Sequence, residues 1–385
     1  MNGAMMSTLE PGSRIGVFGG GQLGRMFAHA AQRCGYHVFV YSPEEDGPAH
    51  QVTADSYYAD YEDTDAVRDF AKSVDVITLE FENIPLVAVE EARRWCPVRP
   101  SPAILQMAQH RIVEKSTLRR LGFPVTPFVG IDHENALQAI EPELGWPCIL
   151  KTATSGYDGK GQRKVDNYSE ALEFWNACGG VELIAEKRIE FLGEVSILVA
   201  RNPRGHIVVY PMFFNEHANH ILDVTLCPAP DRFHAVQSRA HQIASDLAAA
   251  IQLEGILCIE FFVDTNLDLL INELAPRPHN SGHLTIEGTR TSQFEQQLRA
   301  ICNLPLGDVS LNHPRVAMAN LLGDLWETGT PKFDVVFHES TAALHLYGKS
   351  KAKKGRKMGH LTAWGPLDID LETHIKTLRH RLVRN

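Results

Sequence analysis

The sequence is poor in the features that define several large classes of protein. Its seven cysteines are scattered and form no C-x-x-C pair, which fits a reducing compartment better than a disulfide framework. No apolar run approaches the roughly 20 residues that a membrane-spanning helix needs. The formal net charge of −10 argues against a general nucleic-acid-binding or membrane-binding surface. We therefore expect a cytoplasmic protein without a nucleic-acid or membrane partner, in which a local basic pocket can still bind a small anion.

The length of 385 residues is sufficient for two or three domains with ample hydrophobic core. Residues 1–13 lack the basic and apolar blocks of a signal peptide, and we expect them to form a disordered leader. Residues 14–107 read as one α/β unit, in which strand-like runs such as RIGVFG alternate with amphipathic helix-like runs. Pro100 and Pro102 mark the end of this unit, and the tail from about Pro314 reads as a smaller β-rich module.

The stretch ILKTATSGYDGKGQ, residues 149–162, carries the clearest signal for an anionic ligand. An apolar run delivers Lys151 to the start of a loop that is punctuated by glycines and that also contains Lys160. Glycines allow backbone N–H groups to approach an anion closely, and the two lysines can neutralise phosphate oxygens. The spacing differs from the Walker pattern, so this is not a P-loop. The alternative is a solvent-exposed hairpin turn, since glycine-rich turns flanked by lysine are common.

A second signal lies in two strand-like runs, GILCIEFFV and LDLLINEL, that flank Asp-Thr-Asn at 264–266. This turn sequence predicts a hairpin, on which Glu260 and Glu273 would project to the same face. Two facing carboxylates are costly unless a cation lies between them. Mg²⁺ suits such hard oxygen ligands, is usually shared with the phosphates of a nucleotide, and could take a further oxygen from Asn272. The alternative, acids that face solvent, is opposed by the apolar flanks IEFF and LLINEL.

Near the N-terminus, Gly19, Gly21 and Gly24 match the G-x-G-x-x-G pattern between a strand and a helix, which is usually a dinucleotide-binding fingerprint. A dinucleotide site also needs an acid at the end of the second strand, but Tyr41-Ser42 occupies that place and Glu44 comes too late. We therefore expect the loop to hold a phosphate-bearing ligand other than a dinucleotide at the N-terminus of the helix. The alternative is that the glycines serve only helix–strand packing.

Two acids, Glu80 and Glu82, lie at the end of a later strand, in TLEFENIP, and alternate with apolar residues. This alternation predicts that both lie on one face of the strand. Because the ligands of open parallel sheets collect at the carboxyl ends of strands, we expect Glu80 to point at whatever the glycine loop holds. The alternative is a pair of acids that face water.

Three further side chains are candidates for contacts with a nucleotide. Arg111 lies on a helix after the two prolines and could reach a phosphate, although a solvated helix face explains it equally well. His217 and His220, in FNEHANHILD, have the i, i+3 spacing of two metal ligands on a helix, but no Cys or further His lies nearby to complete a zinc site. We therefore favour a loop histidine that contacts a nucleotide phosphate.

The tail contains one dense basic cluster, bounded by strand-like runs. The glycines at 348, 355 and 359 predict a turn that presents these cations. A phosphate monoester is a suitable ligand for such a turn, whereas the alternative is a charge run that is simply solvated. The members of the cluster are Lys349, Lys351, Lys353, Lys354, Arg356 and Lys357.

Four motifs, GGGQLGRM, SGYDGKGQ, NELAPRPHNSGH and GRKMGHLT, make residues 14 to about 365 resemble the N5-carboxyaminoimidazole ribonucleotide synthases, the ATP-grasp carboxylases of purine biosynthesis. The resemblance implies an α/β and α+β fold with a Rossmann-like preATP-grasp domain at 14–107, an ATP-grasp domain at 108–312 and a small β-rich C-terminal domain at 313–385. It implies ATP and Mg²⁺ as cofactors, bicarbonate and 5-aminoimidazole ribonucleotide as substrates, and a homodimer. The implied products are the N5-carboxylated ribonucleotide, ADP and phosphate, formed through carboxyphosphate.

The resemblance also assigns roles to individual residues of this sequence. Contacts with ATP are expected from Arg111, Lys151, Ser155, Gly156, Tyr157, Asp158, Gly159, Lys160, Gly161, Glu186, Lys187, Arg188, Ile189, Glu194, His217, Asn272 and Glu273. Mg²⁺ is expected on Glu260 and Glu273. Contacts with the ribonucleotide are expected from Gln22, Leu23, Glu80, Tyr157, Asn280, Lys349, Arg356 and Lys357. Asp158 and Lys357 match the positions that the family uses in catalysis.

Three other functions are compatible with parts of the sequence. The sister ATP-grasp enzyme that formylates glycinamide ribonucleotide with formate resembles this chain in its glycine-rich N-terminal turn and in PRPH, but its loop is expected to read SSGKGQ rather than GYDGKGQ. A dinucleotide-dependent oxidoreductase is opposed by the missing ribose-binding acid. A catalytically inactive nucleotide-binding regulator is opposed by the presence of Lys151, Glu260 and Glu273.

Overall fold

A computed structural model describes residues 7–154 and 161–383 of the chain. The strands in these ranges form three sheets, of which the first is parallel and the other two are antiparallel. All seven cysteines lie within these ranges and have free thiols. No helix of the described chain is long and apolar enough to cross a bilayer.

The N-terminal region is a parallel α/β unit, as the alternating runs predict. Its elements are β1 (Arg14–Phe18), α1 (Gln22–Arg33), β2 (His37–Tyr41), β3 (Asp55–Tyr57), α2 (Thr64–Lys72), β4 (Val76–Leu79), α3 (Leu86–Arg93) and α4 (Pro102–Ala108). The strand order is β3-β2-β1-β4, so β1 lies inside the sheet and its glycine loop sits at the carboxyl edge. Helix α1 buries one face, on which Leu23, Phe27 and Ala31 recur at every fourth position.

A small antiparallel sheet of order β5-β8-β6-β7 follows in the chain. Its region contains α5 (Arg111–Arg120), β5 (Phe128–Ile131), α6 (Ile140–Leu144), β6 (Cys148–Thr152), β7 (Gln162–Val165), α7 (Tyr168–Ala177) and β8 (Leu183–Lys187). Strands β6 and β7 pair on either side of the predicted glycine loop, with Lys151 opposite Gln162. The sheet therefore fixes both ends of the loop.

The rest of the chain builds a long antiparallel sheet of order β14-β13-β9-β11-β12-β15-β17-β16, with β10 paired to β9. Its first elements are β9 (Phe191–Arg201), β10 (Ile207–Val209), β11 (Phe213–Ala218), β12 (Ile221–Cys227), α8 (His234–Ala250), β13 (Gly255–Asp264), β14 (Leu269–Ala275), α9 (Thr285–Gly288) and α10 (Gln293–Ile301). The C-terminal elements are β15 (Arg315–Leu322), α11 (Asp334–Phe337), β16 (Ala342–Leu346), β17 (Lys357–Gly365) and α12 (Leu371–Arg381).

The hairpin of β13 and β14 confirms the prediction from the two strand-like runs. The strands are antiparallel, and Glu260 stands opposite Glu273. Asp264 forms the predicted turn, because its side chain accepts hydrogen bonds from the backbone N–H groups of Asn266 and Asp268, both at 2.8 Å.

The C-terminal strands extend the same sheet across the predicted boundary at residue 313. Strand β15 pairs with β12, and Val224 stands opposite Ala319. The sheet then continues into β17, whose first residue is Lys357. The backbone hydrogen bonds of one sheet therefore hold the β13–β14 hairpin and Lys357 in a fixed relation.

Residues 8–13 pack on the fold, so the expectation of a disordered leader through residue 13 is wrong for this part. The backbone N–H of Leu9 donates to the Cys302 carbonyl at 3.0 Å, and the Tyr36 hydroxyl donates to the Leu9 carbonyl at 2.8 Å. The Leu9 side chain packs against the core cluster of α1 and α10. These partners are distant in sequence, so no local pattern reveals them. Residues 1–6 lie outside the described chain.

Candidate active site

A cavity of about 910 Å³ is lined by residues from all three sheets and their loops. The predicted residues that line it are Gln22, Leu23, Glu80, Arg111, Lys151, Glu194, His217, Glu260, Asn272, Glu273, Asn280 and Lys357. Seven predicted residues that the structure describes do not line the cavity: Gly161, Glu186, Lys187, Arg188, Ile189, Lys349 and Arg356. The predicted loop residues Ser155, Gly156, Tyr157, Asp158, Gly159 and Lys160 lie outside the described residues.

The carboxyl groups of Glu260 and Glu273 stand opposite each other in the cavity wall. Burial and then the neighbouring Glu273 raise the pKa of Glu260 to about 8. Arg111 Nη1 lies 3.2 Å from Glu273 Oε2, and His279 Nε2 lies 3.2 Å from Glu260 Oε1. The two acids thus each face a nitrogen donor, and their mutual repulsion makes the site favourable for a cation.

Mg²⁺ fits this donor set by chemistry. Two carboxylates and the amide of Asn272 supply hard oxygen atoms, which are the ligands that Mg²⁺ prefers. The described residues contain no cluster of three or more His, Cys, Asp or Glu side chains suited to a metal ion. An ion at this hairpin would therefore complete its shell with water and with oxygens of a bound ligand, as Mg²⁺ commonly does.

A chain of opposite charges runs from Lys151 into the protein. Glu186 Oε2 lies 2.6 Å from Lys151 Nζ, and Glu186 Oε1 lies 3.3 Å from Lys115 Nζ. Burial alone would raise the pKa of Glu186, but Lys151 and Lys115 lower it to about 2. Glu186 is therefore an ionised anchor that holds the Lys151 ammonium at the cavity wall.

Helix α5 contacts β14 through three polar side chains. Arg111 Nη1 donates to Glu273 at 3.2 Å, and the fully buried Lys115 donates to the Asn272 carbonyl at 3.0 Å. Glu114 Oε2 accepts from the Leu274 backbone N–H at 3.2 Å. Three side chains from two turns of one helix thus set the position of Asn272, Glu273 and Leu274.

Lys115 and Glu114 are site residues that the sequence analysis did not assign. The sequence does predict that Lys115 lies on the same helix face as Arg111, because the two are four positions apart. Nothing local distinguishes a buried lysine from a solvated one, however. Only the contact with β14, more than 150 positions away, shows its role.

His217 and Glu194 form a polar pair on neighbouring strands. His217 Nδ1 lies 3.2 Å from Glu194 Oε1, and this carboxylate outweighs burial and raises the pKa of His217. The disfavoured alternative, two metal ligands at i, i+3 on a helix, is excluded because β11 and β12 form a hairpin here. His217 lies on β11 rather than in a loop, and His220 lies in the turn with φ of 66°.

Glu80 occupies the N-terminus of α1, so the predicted phosphate cradle at this helix is wrong. Its carboxylate accepts hydrogen bonds from the backbone N–H groups of Gly21 and Gly24, the latter at 2.7 Å. A Cβ on Gly21 would lie 2.3 Å from Glu80 Oε1, and one on Gly19 would lie 2.2 Å from Glu80 Cγ. The glycines therefore allow the Glu80 carboxylate, rather than a ligand phosphate, to approach the backbone closely.

The prediction that Glu80 and Glu82 lie on one strand face is wrong, because β4 ends at Leu79, although both acids line the cavity. Glu82 instead forms an ion pair with Arg277, which follows the β13–β14 hairpin. Burial alone would raise the pKa of Glu82, but Arg277 lowers it to about 2. This pair ties the N-terminal region to the NELAPRPHNSGH segment, and both Arg277 and His279 line the cavity. Neither was assigned in the sequence analysis, although both lie in a motif that it used.

The C-terminal basic turn reaches the cavity through Lys357. Lys349 Nζ donates to the Lys357 carbonyl at 2.7 Å, and burial, then Arg356, lowers the pKa of Lys349 to about 8. The amide nitrogen and oxygen of Asn280 are buried and make no hydrogen bond within the described residues. Such an amide in a cavity wall is suited to a polar ligand.

Three domain families match successive parts of the chain. The ribonucleotide synthetase preATP-grasp domain matches residues 13–109, the ATP-grasp domain matches residues 116–294, and the phosphoribosylaminoimidazole carboxylase C-terminal domain matches residues 316–372. The fold predicted from the sequence is thereby confirmed.

Relatives extend this match over nearly the whole chain. The N5-carboxyaminoimidazole ribonucleotide synthase of Brucella melitensis biotype 1 is 40% identical over 365 residues, which are 94% of this chain and 99% of that protein. The chain belongs to the N5-carboxyaminoimidazole ribonucleotide synthase family. A bifunctional purine synthesis protein purC/E of Dictyostelium discoideum is also 40% identical, over 92% of this chain, and the match covers 37% of that longer protein.

Two solved structures of N5-carboxyaminoimidazole ribonucleotide synthases share the architecture. The Staphylococcus aureus protein in complex with ADP has a TM-score of 0.88 and 35% identity, covering 98% of this chain and 100% of that one. The Aspergillus clavatus protein in complex with ADP and 5-aminoimidazole ribonucleotide has a TM-score of 0.85 and 30% identity, covering 97% and 99%. This family membership confirms the resemblance and leaves the oxidoreductase reading without support.

The contact between Glu80 and the glycine loop yields a first prediction. Gly21→Ala places a methyl group against the Glu80 carboxylate, and we expect the free energy of unfolding to fall by about 1–3 kcal/mol. In a Glu80→Ala background the same change should cost much less, because the collision partner is gone. Chemical denaturation of the four proteins measures both differences. Gly130→Ala is the matched control, since its new methyl meets the flexible end of Ile112. An equal cost of Gly21→Ala in both backgrounds would contradict the assignment.

Proposed function

We propose that this protein carboxylates the exocyclic amine of 5-aminoimidazole ribonucleotide, using ATP and bicarbonate and releasing ADP and phosphate. The observation that carries the proposal is one cavity whose wall contains Lys151, the Glu260–Glu273 pair and Lys357. A phosphate-neutralising lysine, a cation site and a basic turn are the parts that this reaction needs in one place. Family membership supports the same conclusion, since the relatives carry the name of that activity.

ATP would lie between the small sheet and the β13–β14 hairpin. Bicarbonate is a poor electrophile, and attack of its oxygen on the γ-phosphorus gives carboxyphosphate and ADP. Such a transfer is promoted mainly by positioning and by neutralisation of charge. Lys151, held by Glu186, and Arg111, held by Glu273, are the described cations at this wall.

We propose that Glu260 and Glu273, with Asn272, hold Mg²⁺. The bound ion would neutralise the charge that develops on the phosphate oxygens. The residues around it do separate work: Arg111 orients Glu273, and His279 faces Glu260. Lys115 fixes the backbone beside Glu273, because its ammonium donates to the Asn272 carbonyl.

The ribonucleotide would lie between the N-terminal region and the C-terminal basic turn. Lys349, Arg356 and Lys357 supply positive charge for its phosphate, and the unpaired amide of Asn280 can meet its polar edge. Gln22, Leu23 and Glu80 complete that side of the cavity wall. The amine then receives CO₂ from carboxyphosphate, and a closed site prevents loss of that intermediate to water.

We further propose that Asp158 manages the proton of the amine and that Lys357 steadies the developing negative charge. Asp158 lies in the glycine loop, whose remaining predicted ligands, Ser155 to Gly161, would cover ATP and whose Tyr157 would face the ribonucleotide. Glu186 to Ile189, Glu194 and His217 complete the proposed ATP contacts. We also propose a cytoplasmic homodimer, which sedimentation velocity can check.

The proposed function has a direct test. The purified full chain with ATP and Mg²⁺ should release ADP when bicarbonate and 5-aminoimidazole ribonucleotide are both present. Omitting bicarbonate, or replacing the pair with formate and glycinamide ribonucleotide, should abolish the release. ADP release that depends on formate, or that ignores the ribonucleotide, would contradict the proposal.

Lys115 is expected to set nucleotide affinity without touching the nucleotide. Lys115→Met removes one partner of Glu186 and the donor to the Asn272 carbonyl, so we expect ADP to bind about tenfold more weakly, a change of about 1.4 kcal/mol. Lys115→Arg should recover part of the affinity. Calorimetry of ADP binding measures this, with the exposed Lys164→Met as the control. Unchanged ADP affinity in a folded Lys115→Met protein would contradict the role.

Asp158→Asn is expected to separate binding from turnover. If Asp158 handles the proton of the amine, kcat should fall by roughly 10²–10⁴ while ATP binds almost as in the wild type. Steady-state ADP release and ATP calorimetry measure the two quantities. Asp166→Asn, on an exposed side chain that pairs with Lys164, is the matched control. Wild-type turnover in Asp158→Asn would remove the role that we give to this residue.

A further inference from the structure

A line of buried polar side chains crosses the long sheet behind the cavity. It starts at Thr225 on β12, passes Asn215 on β11 and Ser196 on β9, and reaches Ser281 after the hairpin. Successive polar atoms lie 3.2, 2.9 and 2.9 Å apart. Ser281 Oγ then lies 2.9 Å from Nδ1 of His279. The proposed reaction gives none of the first four residues a task.

The direction of every hydrogen bond in this line follows from one fixed donor. The backbone N–H of Ser281 points at His279 Nδ1 at 3.3 Å, and a backbone N–H can only donate. Nδ1 is therefore the acceptor, and a neutral His279 carries its proton on Nε2. The Ser281 hydroxyl then donates to Nδ1 and accepts from the Ser196 hydroxyl.

The hydrogen bonds at the Thr225 end of the line run in the same direction. Because Ser196 donates to Ser281, its oxygen must accept, and the Asn215 amide nitrogen donates to it at 2.9 Å. The Asn215 oxygen accepts from the Thr225 hydroxyl at 3.2 Å. Each group thus donates once toward the cavity, and the order of donors is consistent from Thr225 to His279.

Further contacts hold the His279 backbone and place its ring beside Glu260. The side chain of the fully buried Gln293 accepts from the His279 backbone N–H and donates to its carbonyl, both at 2.8 Å. At the other end of the ring, Nε2 lies 3.2 Å from Glu260 Oε1. An Nε2 proton therefore lies on the side of the ring that faces the Glu260 carboxylate.

We propose that Thr225, Asn215, Ser196 and Ser281 are positioning residues that hold the His279 proton on Nε2, the ring nitrogen that faces Glu260. The consequence for Mg²⁺ rests on the proposed function. Glu260 is a proposed ligand of the ion, and a polar group beside a ligand carboxylate helps to orient that carboxylate toward the metal. The proton position itself does not depend on that function, because it follows from contacts of the ligand-free protein.

The first test reads the proton position directly. Two-dimensional ¹H–¹⁵N NMR of the ligand-free full chain, labelled on histidine nitrogen, distinguishes the two ring tautomers, and His279→Gln identifies the His279 signals. We expect the Nε2–H form in the wild type and a mixture in Ser281→Ala. Asn215→Asp, which keeps the shape but removes the amide donor, should also raise the Nδ1–H population. Thr362→Val is the control, since the Thr362 hydroxyl is equally buried and makes no hydrogen bond within the described residues.

The second test connects the proton position to the metal. Ser281→Ala should raise the Mg²⁺ concentration needed for half-maximal ADP release about tenfold, and Ser281→Thr, which retains a hydroxyl, should recover most of the loss. Metal-free ADP affinity should stay at the wild-type value. A line with only a structural role would lower thermal stability in Ser281→Ala and Thr362→Val alike and leave the Mg²⁺ requirement unchanged.

The outcomes separate this inference from the proposed function. An Nδ1–H tautomer in the wild type, or a wild-type spectrum in both Ser281→Ala and Asn215→Asp, would overturn the inference. Wild-type Mg²⁺ dependence in Ser281→Ala would overturn its metal part. If the wild type instead showed no bicarbonate-dependent ADP release, the proposed function would fail, and the NMR result would still decide where the proton lies.

Discussion

Two carboxylates, Glu260 and Glu273, stand opposite each other in one hairpin, and the rest of the site is arranged around their charge. Burial, and then the neighbouring Glu273, raise the pKa of Glu260, so a cation between the two acids is favourable. Arg111 faces Glu273 and His279 faces Glu260, and these contacts orient the two carboxylates. The repulsion between the two acids still favours a bound cation. A cation site next to a phosphate-binding lysine is the physical basis of nucleotide chemistry in this cavity.

The fold keeps these charges in register through backbone hydrogen bonds and through helix α5. One continuous sheet carries the hairpin and the strand that begins at Lys357, so the two ends of the cavity share a rigid frame. The Lys151 wall belongs to a different sheet and is joined to the hairpin through Glu186 and Lys115. The buried Lys115 side chain thus links the small sheet to the hairpin of the long sheet.

The sequence predicted what local patterns control, and it did not predict what distant contacts control. The β13–β14 hairpin and its paired acids follow from two strand-like runs and an Asp-Thr-Asn turn, and the structure confirms them. The phosphate cradle at α1 was wrong, because a glycine pattern does not show that Glu80 reaches the same N–H groups. The ordering of residues 8–13 by Cys302 and Tyr36, and the burial of Lys115, likewise arise from tertiary contacts.

The central claim is that the two acids act together as a cation site for a bound nucleotide. Calorimetric titration with ADP, with and without Mg²⁺, tests it most directly in the wild type and in the double variant Glu260→Gln, Glu273→Gln. The account predicts that Mg²⁺ tightens ADP binding about tenfold or more in the wild type and has no effect in the double variant. An equal response to Mg²⁺ in both proteins would contradict it.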